Sequence, residues 1–167
     1  MRSDDARRSD FKLDERDLKM LVILQQEGRI TKTELAERVN LSPTPCWSRL
    51  KRLEKIGLIE GYRAKIALKR FGVTMVFTEA ELESHRAADF ARFEAEMRQM
   101  PEITGCWSVG GGIDYLIQFM VKDIDAYERL IDRLLEMAIG LKRYYTYIVT
   151  KAIKEDGPAP LDRLSTH

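Results

Sequence analysis

Between Ser42 and Lys55 the sequence gathers hydroxyls, an indole and several cations around a sparse apolar pattern. Cys46, Leu50 and Leu53 recur at i, i+4 and i+7, the spacing of one helix face. At roughly 100° per residue, Thr44, Ser48, Lys51 and Lys55 fall on the side away from that face. Trp47 and Arg52 flank this side, Arg49 lies nearer the core edge, and Ser42 stands at the head of the segment. Hydroxyl and ammonium groups can reach base edges or phosphates, and a guanidinium can fork onto a guanine or a phosphate. The expected chemistry is non-covalent recognition of double-stranded DNA by Ser42, Thr44, Trp47, Ser48, Lys51, Arg52 and Lys55. The competing reading is an ordinary solvated helix face. For Trp47, packing on the preceding helix is favoured over a wedge against sugar-phosphate.

A second group comprises Gly110, Gly111 and Gly112, with Asp114 just beyond. Glycines leave backbone amides open to close approach, and a carboxylate beside them can accept hydrogen bonds from an ammonium. An α-amino acid brings a partner for each. The alternative is a flexible hairpin turn in which Asp114 bonds its own turn amides. Tyr144, Tyr145 and Tyr147 are read as sheet packing. Signs of covalent or metal chemistry are lacking. His85 and His167 are the only histidines, and no His/Cys cluster has metal-ligand spacing. The triple glycine lacks the Lys-Ser/Thr of a phosphate loop and precedes a strand rather than a helix. Neither catalysis nor a cofactor or metal is expected.

These groups need elements to position them. Asp14 is a helix N-cap with Asp17 at N3, followed by Leu18, Leu21 and Val22; Gly28 ends that helix. Thr31-Lys32-Thr33-Glu34 reads as a capping box opening a short helix with Leu35, Ala36 and Val39 inward. After a tight Asn40-Leu41 connection, Ser42 caps a third helix. Pro43 at N1 and Pro45 at N3 fall where helix amides lack intrahelical partners. Gly57 stops it. Two helices at this spacing form a helix-turn-helix.

The rhythm then changes. Val73–Leu82 is a strand. Ser84 caps a helix bearing Phe90, Phe93, Met97 and Met100, and Ile103–Val109 is the next strand. The glycine turn leads into an alternating strand, Tyr115–Val121. Asp123 caps a helix whose face is Ile124, Tyr127, Leu130, Ile131, Leu134 and Ala138, and Arg143–Ile153 is the last strand. The order β-α-β-β-α-β is the ferredoxin-like pattern. The expected class is α+β, with boundaries at a tail 1–12, a helix-turn-helix domain 13–58, an extended linker 59–72, a ferredoxin-like domain 73–155 and a frayed tail 156–167.

The composition fits two domains with different partners. The chain has 167 residues, 44% of them hydrophobic and 33% charged, and a net charge of +1. That near balance conceals an asymmetry. Residues 1–70 carry 17 Lys+Arg against 11 Asp+Glu, and residues 41–70 alone carry 8 against 2. The remainder is acidic, as a basic reading head joined to an acidic sensing domain would be. No apolar run approaches membrane-spanning length and no secretory leader is visible. Cys46 and Cys106 are expected to be reduced. Membrane, secreted disulfide-scaffold and fibrous classes are excluded, and a cytoplasmic protein is expected.

Taken together, residues 13–155 resemble the Lrp/AsnC (feast/famine) family of transcription regulators. The resemblance rests on Leu13-Asp14, Gly28-Arg29-Ile30, Leu41-Ser42-Pro43-Thr44-Pro45-Cys46, Arg52-Leu53-Glu54 with Gly57 and Ile59, and Gly61-Tyr62. Downstream it rests on Gly111 with Asp114-Tyr115-Leu116, and on Thr146-Tyr147-Ile148-Val149. It implies a helix-turn-helix domain followed by a ferredoxin-like (RAM/ACT-like) domain that dimerises and binds small effectors, usually amino acids, where dimers meet. Octamers are common in the family. The family's glycine-Asp-x-Asp turn reads Gly111-Gly112-Ile113-Asp114 here, so Gly112 replaces an acidic residue. That change removes a partner for an effector's ammonium or leaves room for a bulkier ligand. The resemblance places Gly110, Gly111, Gly112, Asp114 and Thr146 at the effector site. Cys106-Trp107 with the glycine turn is similar to a subgroup linked to catabolism of ectoine-like compounds.

The expected function is a sequence-specific DNA-binding transcriptional regulator responding to an amino acid or an amino-acid-derived effector. A homodimer would present two recognition helices to a pseudo-palindromic operator. The alternatives are a metabolite-binding or assembly module without specific DNA binding, and an enzyme built on the ferredoxin-like half.

Overall fold

The computed structural model describes residues 12–155 and 157–164. Three helices come first: α1 (Glu15–Gln26), α2 (Lys32–Arg38) and α3 (Pro43–Lys55). Asp14 and Asp17 form a full reciprocal capping box at α1, each carboxylate accepting the other's amide. At α2, Thr31 Oγ1 accepts from Glu34 N at 3.2 Å. Asn40 turns the chain between α2 and α3 with φ +53°, a conformation that Asn tolerates better than most residues. Ser42 occupies the N-cap of α3, but its hydroxyl makes no capping bond. Met20, Leu35, Ala36, Cys46 and Leu53 close into one core, each at most 2% exposed.

The chain forms two compact units, and the first holds the residues up to Lys65 together with those from Lys154 onward. This differs from the expected frayed tail. Leu161–Leu164 forms one helical turn, α6, and Leu161 packs against the core of the helical unit. The Gln25 side-chain amide accepts from Ala159 N at 2.8 Å and donates to Ala159 O at 3.3 Å. One apolar anchor and a paired backbone suffice to seat the segment.

The second unit, Ile66–Ile153, contains β1 (Thr74–Leu82), α4 (Ala87–Gln99), β2 (Ile103–Ser108), β3 (Tyr115–Val121), α5 (Ile124–Glu136) and β4 (Leu141–Ile148). A short 3-10 turn, Leu68–Phe71, precedes β1. The sheet is antiparallel throughout, in the order β2-β3-β1-β4. Alternation on β3 buries Tyr115, Ile117, Phe119 and Val121, and β1 buries Val76, Thr78, Ala80 and Leu82 on the same face. Phe93 and Met97 of α4 and Leu130, Ile131 and Leu134 of α5 cover that face. Each such side chain contributes about 1.5–3 kcal/mol on burial. The opposite face carries Met75, Phe77, Leu116 and Met120, all half-buried.

Three expectations at the element ends change. α4 starts at Ala87 with Arg86 at the N-cap, not at Ser84. His85 stacks on Phe90 and pairs with Asp114, which occupies the residues before the helix. Ala138 lies past α5 in a left-handed turn at φ +48°, and Ile139 fills the core instead. β4 ends at Ile148, opposite Val76 of β1, and Val149 N still donates to Met75 O at 3.0 Å just beyond that pair. Among the described residues, no helix is long and apolar enough to cross a membrane.

Candidate functional site

α3 is anchored on one side and open on the other. Cys46, Leu50 and Leu53 are buried, while Thr44, Trp47, Ser48, Lys51, Arg52 and Lys55 are exposed. The helical spacing is thus realised, with the hydroxyls and cations facing outward. Burial raises the pKa of the Cys46 thiol, consistent with an inert packing role.

Trp47 is held rather than free. Lys32 Nζ of α2 stands 3.3 Å from its ring centroid, and Lys51 Nζ stands 4.7 Å away. These cation–π contacts supply the packing on α2 expected for the indole, which is still 36% exposed. Lys51 also lies 3.6 Å from Glu54. Tyr62 OH donates to Glu54 at 3.1 Å, so the segment after α3 is tied back to it.

Arg52 departs from the sequence expectation. Its guanidinium folds toward α1, 2.5 Å from Asp17, and donates to Lys12 O at 3.5 Å. Arg49 contacts Asp14 at 2.5 Å and Asp17 at 2.9 Å. Asp17 is 1% exposed, and a buried carboxylate must be paired and hydrogen-bonded. Two arginines and the Asp14 amide meet that need. The Asp14 carboxyl is held below its ordinary value, chiefly by the Asp17 amide and also by Arg49. Asp17 and Arg49 are structural partners that the helix pattern alone did not reveal. The acidic capping pair at α1 was the available signal. A surface cavity of about 410 Å³ lies along this seam, bordered by Ser48, Arg49 and Arg52.

In the second unit, Gly110, Gly111 and Gly112 form an exposed turn between β2 and β3. Gly111 has φ +139°, a conformation side chains disfavour, and no atom approaches the Cβ position of any of the three within 4 Å. The turn thus has free space beside its backbone where side chains would stand. Asp114 is already engaged. Its carboxylate accepts from Leu82 N at 2.8 Å and pairs with His85 Nε2 at 3.1 Å. β1–β3 pairing ends at Ala80 opposite Tyr115, so the Leu82 amide needs another acceptor. Asp114 supplies it across the strands instead of bonding its own turn. His85, set aside on sequence, is its second partner.

Thr146 is not brought to this turn. It lies on β4 opposite Thr78 of β1, on the far side of β1 from β3. Tyr127 OH sits between Thr78 Oγ1 at 2.9 Å and Thr146 Oγ1 at 2.6 Å. Burial raises the Tyr127 pKa, opposed by the two threonine hydrogen bonds. A cavity of about 430 Å³ opens there, lined in part by Tyr127, Asp132, Tyr144 and Thr146. Tyr145 and Tyr147, expected as packed sheet residues, are each 49% exposed on this edge strand. Tyr147 OH donates to Glu79 at 3.1 Å. Both cysteines are free, and among the described residues no cluster of His, Cys, Asp and Glu could hold a metal ion.

Residues 13–60 match a family model described as winged helix-turn-helix DNA-binding, and residues 75–159 match the Lrp/AsnC ligand binding domain. The transcriptional regulatory protein DoeX of Halomonas elongata is 51% identical over 161 residues, covering 93% of this chain and all of that protein. The leucine-responsive regulatory protein of Salmonella typhimurium is 37% identical, covering 91% of this chain and 93% of its own length. A Neisseria meningitidis transcriptional regulator, solved as its L-Met complex, superimposes with a TM-score of 0.85 at 33% identity. That match covers 91% of this chain and 99% of the Neisseria chain.

Proposed function

We propose, from the premise that this chain belongs to the Lrp/AsnC family of transcriptional regulators, that α3 reads the major groove and that the glycine turn senses an amino acid. The carrying observation is the split of α3 into a buried face, Cys46, Leu50 and Leu53, and an exposed face, Thr44, Ser48, Lys51 and Lys55. Thr44 and Ser48 supply hydroxyls to bases or phosphates, and Lys51 and Lys55 supply positive charge. Ser42, whose hydroxyl is not spent on capping, extends the contact at the helix start. Trp47, held by Lys32 and Lys51, stiffens the edge of that face. Arg52 contributes its positive field while orienting α3 through Asp17.

At the turn, the amides of Gly110, Gly111 and Gly112 receive the carboxylate of an amino acid or a derivative. Its ammonium replaces the exposed His85 ring on Asp114. The naming of one relative as leucine-responsive and the L-Met complex of another support an amino-acid effector. A second reading, favoured by the cavity beside Tyr127, places the effector against Thr146. The half-buried apolar sheet face and the open β4 edge support a homodimer, with octamers built from it, whose paired α3 helices read half-sites about one turn (~34 Å) apart. The chain acts in the cytoplasm without catalysis.

Footprinting of the DNA upstream of the protein's own gene, repeated with a panel of amino acids, tests this reading. Protection of a two-fold site, altered by one amino acid, is expected. Uniform coating that ignores sequence overturns it.

A further inference from the structure

Two lysines and an indole meet where α2 packs with α3. Lys32 stands one turn before the buried Leu35 and Ala36, on the stripe of α2 that shares a core with α3. From there its ammonium reaches across to α3, 3.3 Å from the Trp47 ring centroid. Lys51, one turn after Trp47 on α3, brings a second ammonium to 4.7 Å from the same centroid. All three residues are exposed.

Like charges gathered on one ring repel, and the acidic groups nearby offset them unevenly. Among the described residues, no carboxylate pairs with Lys32. At roughly 100° per residue, Glu34 and Glu37 fall about 140–160° away from it around α2. Lys51 lies 3.6 Å from Glu54, a carboxylate that already accepts from Tyr62 OH at 3.1 Å.

An aromatic face attracts a cation through its quadrupole and leaves the net charge whole. A carboxylate would hold the same cation and cancel its field. The indole therefore fixes two cations in place without neutralising them, and each ammonium keeps N–H donors for an outside acceptor. What the arrangement lacks is an anion on its solvent side.

We propose that Lys32 and Lys51 grip the phosphate backbone of double-stranded DNA and that Trp47 is the positioning residue that holds the two lysines ready for it. The inference rests on the reading of α3 as the DNA-facing helix and carries the contact onto α2. An ammonium is a point charge that suits a phosphate, and phosphate contacts fix the register of a protein on its duplex. Lysines already gathered on a ring lose less side-chain freedom on binding than lysines that wave in solvent.

Gel shifts of the full chain over a salt series test this on two duplexes: the DNA upstream of the protein's own gene, and a scrambled duplex of equal length. Lys32→Gln should weaken both by about fivefold to tenfold. It should also shrink the slope of log affinity against log salt by about 0.9, as the loss of one neutralised phosphate requires. Trp47→Leu keeps apolar bulk and removes the quadrupole. It should weaken both duplexes by about fivefold, and Trp47→Phe should restore most of that loss. In the Trp47→Leu background, Lys32→Gln should cost about twofold or less, because the lysine is no longer held in place. Circular dichroism checks that each variant is folded; if Trp47→Leu is not, the same comparison made with Trp47→Phe, whose smaller ring holds Lys32 less firmly, decides the role of the indole.

Unchanged affinity and slope in Lys32→Gln overturn the proposal. Lys55→Ala, on α3 alone, separates that failure from failure of the α3 reading: weaker binding there, with Lys32→Gln unaltered, leaves α3 in the groove and removes α2. A loss in Lys32→Gln confined to the upstream duplex would make Lys32 a reader of bases and overturn the phosphate assignment. An equal cost of Lys32→Gln with and without the indole would overturn the role of Trp47.

Discussion

The Arg52 guanidinium of α3 lies 2.5 Å from the carboxylate of Asp17 in α1, and Asp17 is almost wholly buried. A residue expected to face DNA thus also joins two helices of the domain that presents the DNA-facing surface. Removing Asp17 leaves Arg49 and Arg52 without their shared acceptor. Asp17→Ala should lower the stability of the helical unit by about 1–3 kcal/mol, read as a shift in the denaturant midpoint. Stability equal to that of the original protein would show the pair to be an incidental surface contact.

Lys51 and Lys55 are exposed and are not tied to α1. The double variant Lys51→Ala/Lys55→Ala should bind operator more than tenfold less tightly. The slope of log affinity against log salt should shrink by about 0.9 for each phosphate that is no longer neutralised. Thermal stability and assembly should stay close to those of the original protein. Gel shifts over a salt series decide it; an unchanged slope removes α3 from the interface.

Acid should loosen the helical unit through Asp14. The Asp14 carboxyl sits below its ordinary value of 3.8, chiefly because the Asp17 amide donates to it, with Arg49 adding to the effect. A carboxyl whose folded value is depressed adds stability above its unfolded value. That contribution fades as pH drops through 3.8 toward the folded value. Melting temperatures should therefore fall across that window, and Asp14→Asn should flatten the fall. A variant with the same acid slope as the original would assign the effect elsewhere.

Asp114 serves structure and charge together, and two substitutions separate them. Asp114→Asn keeps an oxygen for Leu82 N and removes the charge facing His85. It should weaken effector binding by about tenfold or more at little cost in stability. Asp114→Ala also orphans the Leu82 amide and should cost a further 1–3 kcal/mol or so. Calorimetry and melts on both variants check this. Effector affinity unaltered in Asp114→Asn would move the effector to the Tyr127–Thr146 cavity.

The sheet face bearing Met75, Phe77, Leu116 and Met120, interrupted by Glu79 and Gln118 and edged by Tyr145 and Tyr147, supports a homodimer. Light scattering at micromolar concentration should report a dimer or larger. Phe77→Glu should shift the population toward monomer, and a monomeric original protein would refute the assignment.

Much of this molecule was legible residue by residue. Asp14 with Asp17, Thr31 with Glu34, and the i, i+4, i+7 pattern of Cys46, Leu50 and Leu53 placed the helices within a residue or two. The alternation from Tyr115 to Val121 marked the buried face of β3. These signals are local: a cap or a period is complete within one or two turns of chain, so the residue types carry it unaided.

Tertiary structure alone decided where the long and polar side chains went. Arg52 has reach enough for solvent or for α1, and the buried Asp17, 35 residues earlier, settles the choice. Asp114 turned from its own loop to Leu82 because β1 outruns its pairing with β3. Thr146 parted from the glycine turn because β1 inserts between β3 and β4. Leu161 found the core of the helical unit. Each outcome depends on which donor, acceptor or apolar surface is left unsatisfied by a distant element. That deficit exists only once the strands have paired and the helices have packed.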